Sequence, residues 1–133
     1  VRPWTDGATF RLGPAMSEER GYCAAVAAGG RVVVFGGKII GRSTLDSTEV
    51  LDTRTMALMA GPDMLTARYS HAAVRIDGNR VLVVGGVDED GDELNTTKIF
   101  HLSTLTFTSG PNMQTARSFC AAVALDARRI LVV

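Results

Sequence analysis

The chain has 133 residues, 46% of them apolar, and fourteen Lys and Arg balance fourteen Asp and Glu to a net charge of zero. That is one domain's worth at most, with enough apolar material to bury a core. The charge balance excludes the basic surplus of a nucleic-acid binder and the high charge of a disordered acidic tail. The longest apolar runs, Tyr22 to Ala28 and Phe119 to Leu125, fall well short of the ~20 residues of a membrane-spanning helix.

Taken in chain order, the elements read as strands. Short runs rich in Val, Ile, Leu and Phe are bounded by turn residues, and none shows a sustained helical period. The expected strands lie at roughly 8–12, 21–28, 31–36, 47–52, 56–60, 69–76, 80–85, 96–101, 105–109, 118–125 and 129–133. Gly29-Gly30 and Asp77-Gly78-Asn79 mark tight hairpin turns. The chain also repeats itself. Gly-Pro-x-Met occurs at Gly13, Gly61 and Gly110, at spacings of 48 and 49 residues. Arg20, Arg68 and Arg117 follow these glycines at a fixed distance, and each leads into an Ala-rich strand. The next strand ends in a glycine pair, Gly36-Gly37 and then Gly85-Gly86. Four antiparallel strands per repeat of this length describe a propeller blade, so the predicted class is all-β, a partial β-propeller.

The glycine pair after an apolar strand, the Pro-x-Met and the Arg before an Ala-rich strand resemble kelch repeats. The resemblance runs from about residue 8 to the end and implies four-stranded kelch blades. Where such units carry Tyr on the third strand and Trp on the fourth, this chain has Leu51 and Phe100, then Leu58 and Phe107, with Phe10 one unit earlier. The expected units span about 13–60, 61–109 and an incomplete 110–133, with an outer strand 8–12 from a preceding unit. Together they make 1–133 one partial kelch propeller. The start at Val and the stop at Val133 suggest a piece of a longer chain, whose remaining blades would be partners of these.

Several side chains invite chemistry. Gly36-Gly37-Lys38 superficially suggests a phosphate loop, but Val32 stands where such a loop needs a further glycine. Cys23, His71 and Cys120 share one place in successive units. The repeat spreads them around an axis, which favours packed thiols and a plain histidine over a zinc site or a disulfide. Free thiols suit an intracellular chain and favour the cytoplasm. Asp88-x-Asp90-Gly91-Asp92 looks like the start of a calcium loop, but Ile99 stands where an EF-hand needs its bidentate Glu. No metal or other cofactor is expected, with a propeller-borne calcium loop at 88–93 as the alternative. Asn95-Thr96-Thr97 is a formal glycosylation triplet.

The acidic loop has a basic counterpart one unit earlier, Lys38-Ile39-Ile40-Gly41-Arg42-Ser43. Both join second to third strands, so they belong on one face of the propeller. Variation between loops on a shared scaffold is where recognition is expected. The favoured reading is a protein-interaction scaffold, non-enzymatic, with a protein or peptide ligand. Its candidate contacts are Lys38, Ile39, Ile40 and Arg42 beside Asp88, Asp90 and Asp92, with Arg20, Arg68 and Arg117 at the rim. The resemblance also admits an alternative, a propeller enzyme similar to galactose oxidase or a sugar-acid epimerase. That reading needs histidines and tyrosines to converge.

Overall fold

The computed structural model describes residues 12–133. The strands are β1 (Ala24–Ala28), β2 (Arg31–Phe35), β3 (Thr48–Asp52), β4 (Leu58–Ala60), β5 (Ala72–Arg75), β6 (Arg80–Val84), β7 (Thr97–His101), β8 (Thr106–Ser109), β9 (Ala122–Ala124) and β10 (Ile130–Val132). Among the described residues they form two four-stranded antiparallel sheets, β1 to β4 and β5 to β8, each a simple meander, and a β9–β10 hairpin. These are the expected blades. The outer strand expected at 8–12, with Phe10, lies outside the described residues save for Leu12.

The hairpin turns differ in chemistry. Gly29 and Gly30 both have positive φ, 57° and 74°, as a two-residue turn matched to strand twist requires. The second hairpin is wider than the expected tight turn and closes with the Ile76 amide donating to the Arg80 carbonyl at 2.8 Å. Here the Asp77 carboxylate accepts from the Asn79 and Arg80 amides and from Arg80 Nε. Asp126 repeats the device with the Arg128 and Arg129 amides and Arg129 Nε. An aspartate that satisfies loop amides replaces the glycine pair.

The core lies between the two complete sheets. Val33, Phe35 and Val50 of the first meet Val81, Val83 and Phe100 of the second, with Met64 from the connecting segment and Leu102 just after β7. Phe35 packs edge-on to Phe100 with centroids 5.6 Å apart, and Phe107 closes the group 5.0 Å from Phe100. Phe100 and Phe107 are direct cross-strand partners, so the aromatic places of the repeat keep their packing role. Every residue of β6 except Arg80 is buried, because its sheet is covered on both faces. Burying a side chain such as Phe100 contributes about 2 kcal/mol.

The glycine pairs form the joints between sheets. Gly37 N donates to the Arg68 carbonyl at 2.9 Å, and Gly86 N donates to the Arg117 carbonyl at 2.8 Å. A Cβ on Gly36 would meet that Arg68 carbonyl at 2.6 Å and Met64 Cε at 2.7 Å, and φ there is +50°. The methionine of Gly-Pro-x-Met thus fills the space over the glycine of the preceding blade. Thr48 Oγ1 donates to the Pro62 carbonyl at 2.7 Å, and Thr97 repeats this to Pro111 at 2.8 Å. Gly36→Ala is expected to lose about 2 kcal/mol, from left-handed backbone strain and displacement of Met64. A urea titration checks this: a midpoint within error of the parent would contradict it.

Candidate functional site

The repeated arginines are built from both sheets. The Arg68 amide donates to the Leu45 carbonyl of the first blade, while its guanidinium turns into the second. There Nη1 donates to the carbonyls of Gly85 at 3.0 Å and Thr96 at 3.2 Å, and Nη2 donates to Thr96 Oγ1 at 3.2 Å. Arg20 does the same one repeat earlier, to the carbonyls of Gly36 and Ser47 and to Ser47 Oγ. The main chain therefore ties neighbouring blades, and the side chain locks the glycine pair of its own blade. Both guanidiniums are fully buried. Burial takes Arg20 and Arg68 out of the contact surface that the sequence suggested for them at the rim. Arg117, the third of the repeated arginines, is exposed.

The two clamps differ in their carboxylates: Arg20 also pairs with Glu18 Oε2 at 3.4 Å, where the second repeat has Thr66. Arg20 Nε donates to Glu49 Oε2 at 3.0 Å, forming a buried ion pair. Burial works to raise the Glu49 pKa, but the Ser17 amide and the Arg20 guanidinium overcome it and hold the carboxyl below its ordinary value. In the second blade Lys98 stands at the Glu49 place, and Arg68 Nε has no partner. Desolvation lowers the Arg68 pKa to about 10, which leaves it charged at neutral pH. Lys98→Glu is expected to supply the missing acceptor and raise stability by about 1–2 kcal/mol. An unchanged urea midpoint in that variant would contradict this pairing.

At the same end of the sheets lie the two variable loops. Lys38 bridges to Gly21 and to Thr44, and Val87 bridges likewise to Tyr69 and to Glu93. The loops share a main-chain plan: Ile39 N donates to the Ser43 carbonyl, and Asp88 N to the Asp92 carbonyl. Lys38, Arg42, Ser43 and Thr44 of one face Glu89 and Asp90 of the other across a cleft of about 300 Å³. No ion pair joins the two loops among the described residues. On its other side, Ile39, Ile40 and Arg42 line a hollow of about 540 Å³ with Ser17, Glu18 and Glu19. Ile40 is 79% exposed.

Residues 68–114 match the family model described as Kelch motif. This segment is a kelch repeat. The matched segment starts at the buried arginine and ends beside the Met113 that covers Gly85, so it holds the four strands of the second blade. A search of curated proteins finds no match.

The remaining candidates sit on the kelch scaffold as follows. Asp88 Oδ1 accepts from the Asp90 and Asp92 amides, so this carboxylate orders its own loop. Among the described residues no three His, Cys, Asp or Glu side chains are placed to share a metal ion. Cys23 and Cys120 are free thiols, and Cys120 Sγ lies against the Val84 carbonyl of the preceding kelch blade. His71 holds the equivalent place and is buried, with neither ring nitrogen hydrogen-bonded. Desolvation, helped by the Arg68 charge and slightly opposed by the Phe35 carbonyl, lowers its pKa to about 4. His101 lies at the other end of the same blade, where β7 pairs with Arg80, and bonds Thr108. The two histidines therefore do not converge. Sequence reasoning missed the ring cluster of Tyr22, Tyr69 and Phe119 at the loop end. The signal was present: Tyr22, Ser70 and Phe119 occupy one place in the repeat.

Proposed function

We propose that this kelch chain is a non-enzymatic protein-interaction scaffold that takes a peptide at the loop end of its blades. The supporting observation is the cleft between two loops of one main-chain plan and different charge. Lys38 and Arg42 stand on one side, Glu89 and Asp90 on the other. The arginine clamps and glycine joints hold these loops on strands, which is how a rigid scaffold presents variable contacts. Asp88 and Asp92 shape the acidic loop, and Ile39 and Ile40 supply apolar surface to the neighbouring hollow.

Selection from a random peptide library displayed on phage tests this reading with the whole chain as bait. Enriched peptides are expected to lose binding to chains carrying charge reversals at Arg42 or Asp90. Enrichment indifferent to both reversals would contradict it.

A further inference from the structure

Three aromatic rings gather at the loop end. Tyr22 lies 6.3 Å from Tyr69 and 6.2 Å from Phe119, centroid to centroid, so the group spans three successive repeats. Tyr22, Ser70 and Phe119 all have left-handed backbone, with φ of 54°, 53° and 50°. They are chained by main-chain bonds, Ser70 N to the Tyr22 carbonyl at 2.9 Å and Phe119 N to the Ser70 carbonyl at 2.8 Å. The backbone strain recurs at each repeat and is architectural. The rings are not, because Ser70 fills the same place without one. Tyr22 is 57% and Phe119 75% exposed, so these rings gain little from burial in this chain.

Two further observations say what the rings face. Lys38 Nζ sits 4.8 Å from the Tyr69 centroid, so one ring already carries a cation on its face. The acidic loop flanks the cluster on both sides. Tyr69 and Val87 exchange main-chain bonds at 3.0 and 2.9 Å, and Ser118, next to Phe119, donates to Glu93. Asp88, Glu89, Asp90, Asp92 and Glu93 outnumber Lys38, Arg42 and Arg117, which leaves negative charge in surplus beside exposed π faces. Aromatic faces with nearby carboxylates are complementary to guanidinium and ammonium groups.

We infer that the loop end binds a basic peptide, whose arginine or lysine side chains lie on the Tyr22 and Phe119 faces and are neutralised by the acidic loop. This inference rests on the reading of that end as a peptide-binding surface. Fluorescence anisotropy at physiological salt tests it on the full chain, with two labelled probes: a peptide of alternating arginine and glycine, and one of alternating glutamate and glycine. The basic probe is expected to bind and the acidic one not. Tyr22→Leu and Phe119→Leu keep apolar bulk but remove the π face, and each is expected to weaken the basic probe about threefold to tenfold. Tyr22→Phe is expected to restore binding, and circular dichroism of every variant to match the parent. Basic-probe binding unaffected by both leucine variants would overturn the inference. Acidic-probe binding that is lost in Arg42→Glu would overturn it while leaving the peptide-binding reading intact. No binding of either probe would overturn both.

Discussion

Arg68→Ala is expected to destabilise the chain by about 3–5 kcal/mol, the largest effect of any single substitution considered. Three contributions act together. Removing a fully buried side chain of this volume leaves a cavity at the joint of the two complete blades. The Gly85 carbonyl and Thr96 Oγ1 lose the donors that Arg68 supplies, while the Thr96 carbonyl keeps the Gly85 amide. A buried acceptor without a donor carries the full cost of its desolvation. Arg68→Met separates these effects, because it keeps most of the volume and also removes a buried charge that has no carboxylate partner. It is expected to lie between parent and alanine variant. Equilibrium urea unfolding measures both. An alanine variant within about 1 kcal/mol of the parent would show that the clamp is not structural.

Mild acid is expected to destabilise the fold through His71. Its pKa falls from 6.5 to about 4 on folding, chiefly by desolvation. Between those values the unfolded chain binds a proton that the folded chain refuses, so stability drops as pH falls through this window. The full stabilisation is present above pH 6.5 and lost near pH 4, and amounts to about 3 kcal/mol. Glu49 acts in the same direction at lower pH, since its carboxyl is held below its ordinary value and must be protonated against the Arg20 pair. His71→Cys installs the residue found at this place in the neighbouring repeats and removes the titrating ring. In that variant the loss between pH 6.5 and 4 is expected to disappear, while the Glu49 contribution below it remains. Urea midpoints measured across pH 4 to 7 decide this. A parent chain with a flat profile would refute the buried neutral histidine.

Much of the fold was legible because a repeat reports each element more than once. The Gly-Pro-x-Met, the arginine and the glycine pair are joint parts, and their spacing marks the four strands of each complete blade. The role of Arg68 was only half legible. Its recurrence marked it as architectural, but which carbonyls it meets depends on Gly85 and Thr96, which lie in loops whose partners are set by packing. The orphaned Nε was visible in principle, because Lys98 replaces Glu49 at the same place. The opposed charges of the 38–43 and 88–93 loops could be read from sequence. The ring cluster could not be read from composition, since its members come from three repeats and meet only through left-handed backbone at Tyr22 and Phe119.

The most direct test of the loop end as the recognition surface is amide hydrogen exchange on the full chain, with and without the alternating arginine–glycine peptide. Added protection is expected at residues 38–44, 69–70, 87–94 and 118–119, with the turns at 29–30, 77–79 and 126–129 unchanged. Protection concentrated in those turns, at the opposite end of the blades, would contradict the account.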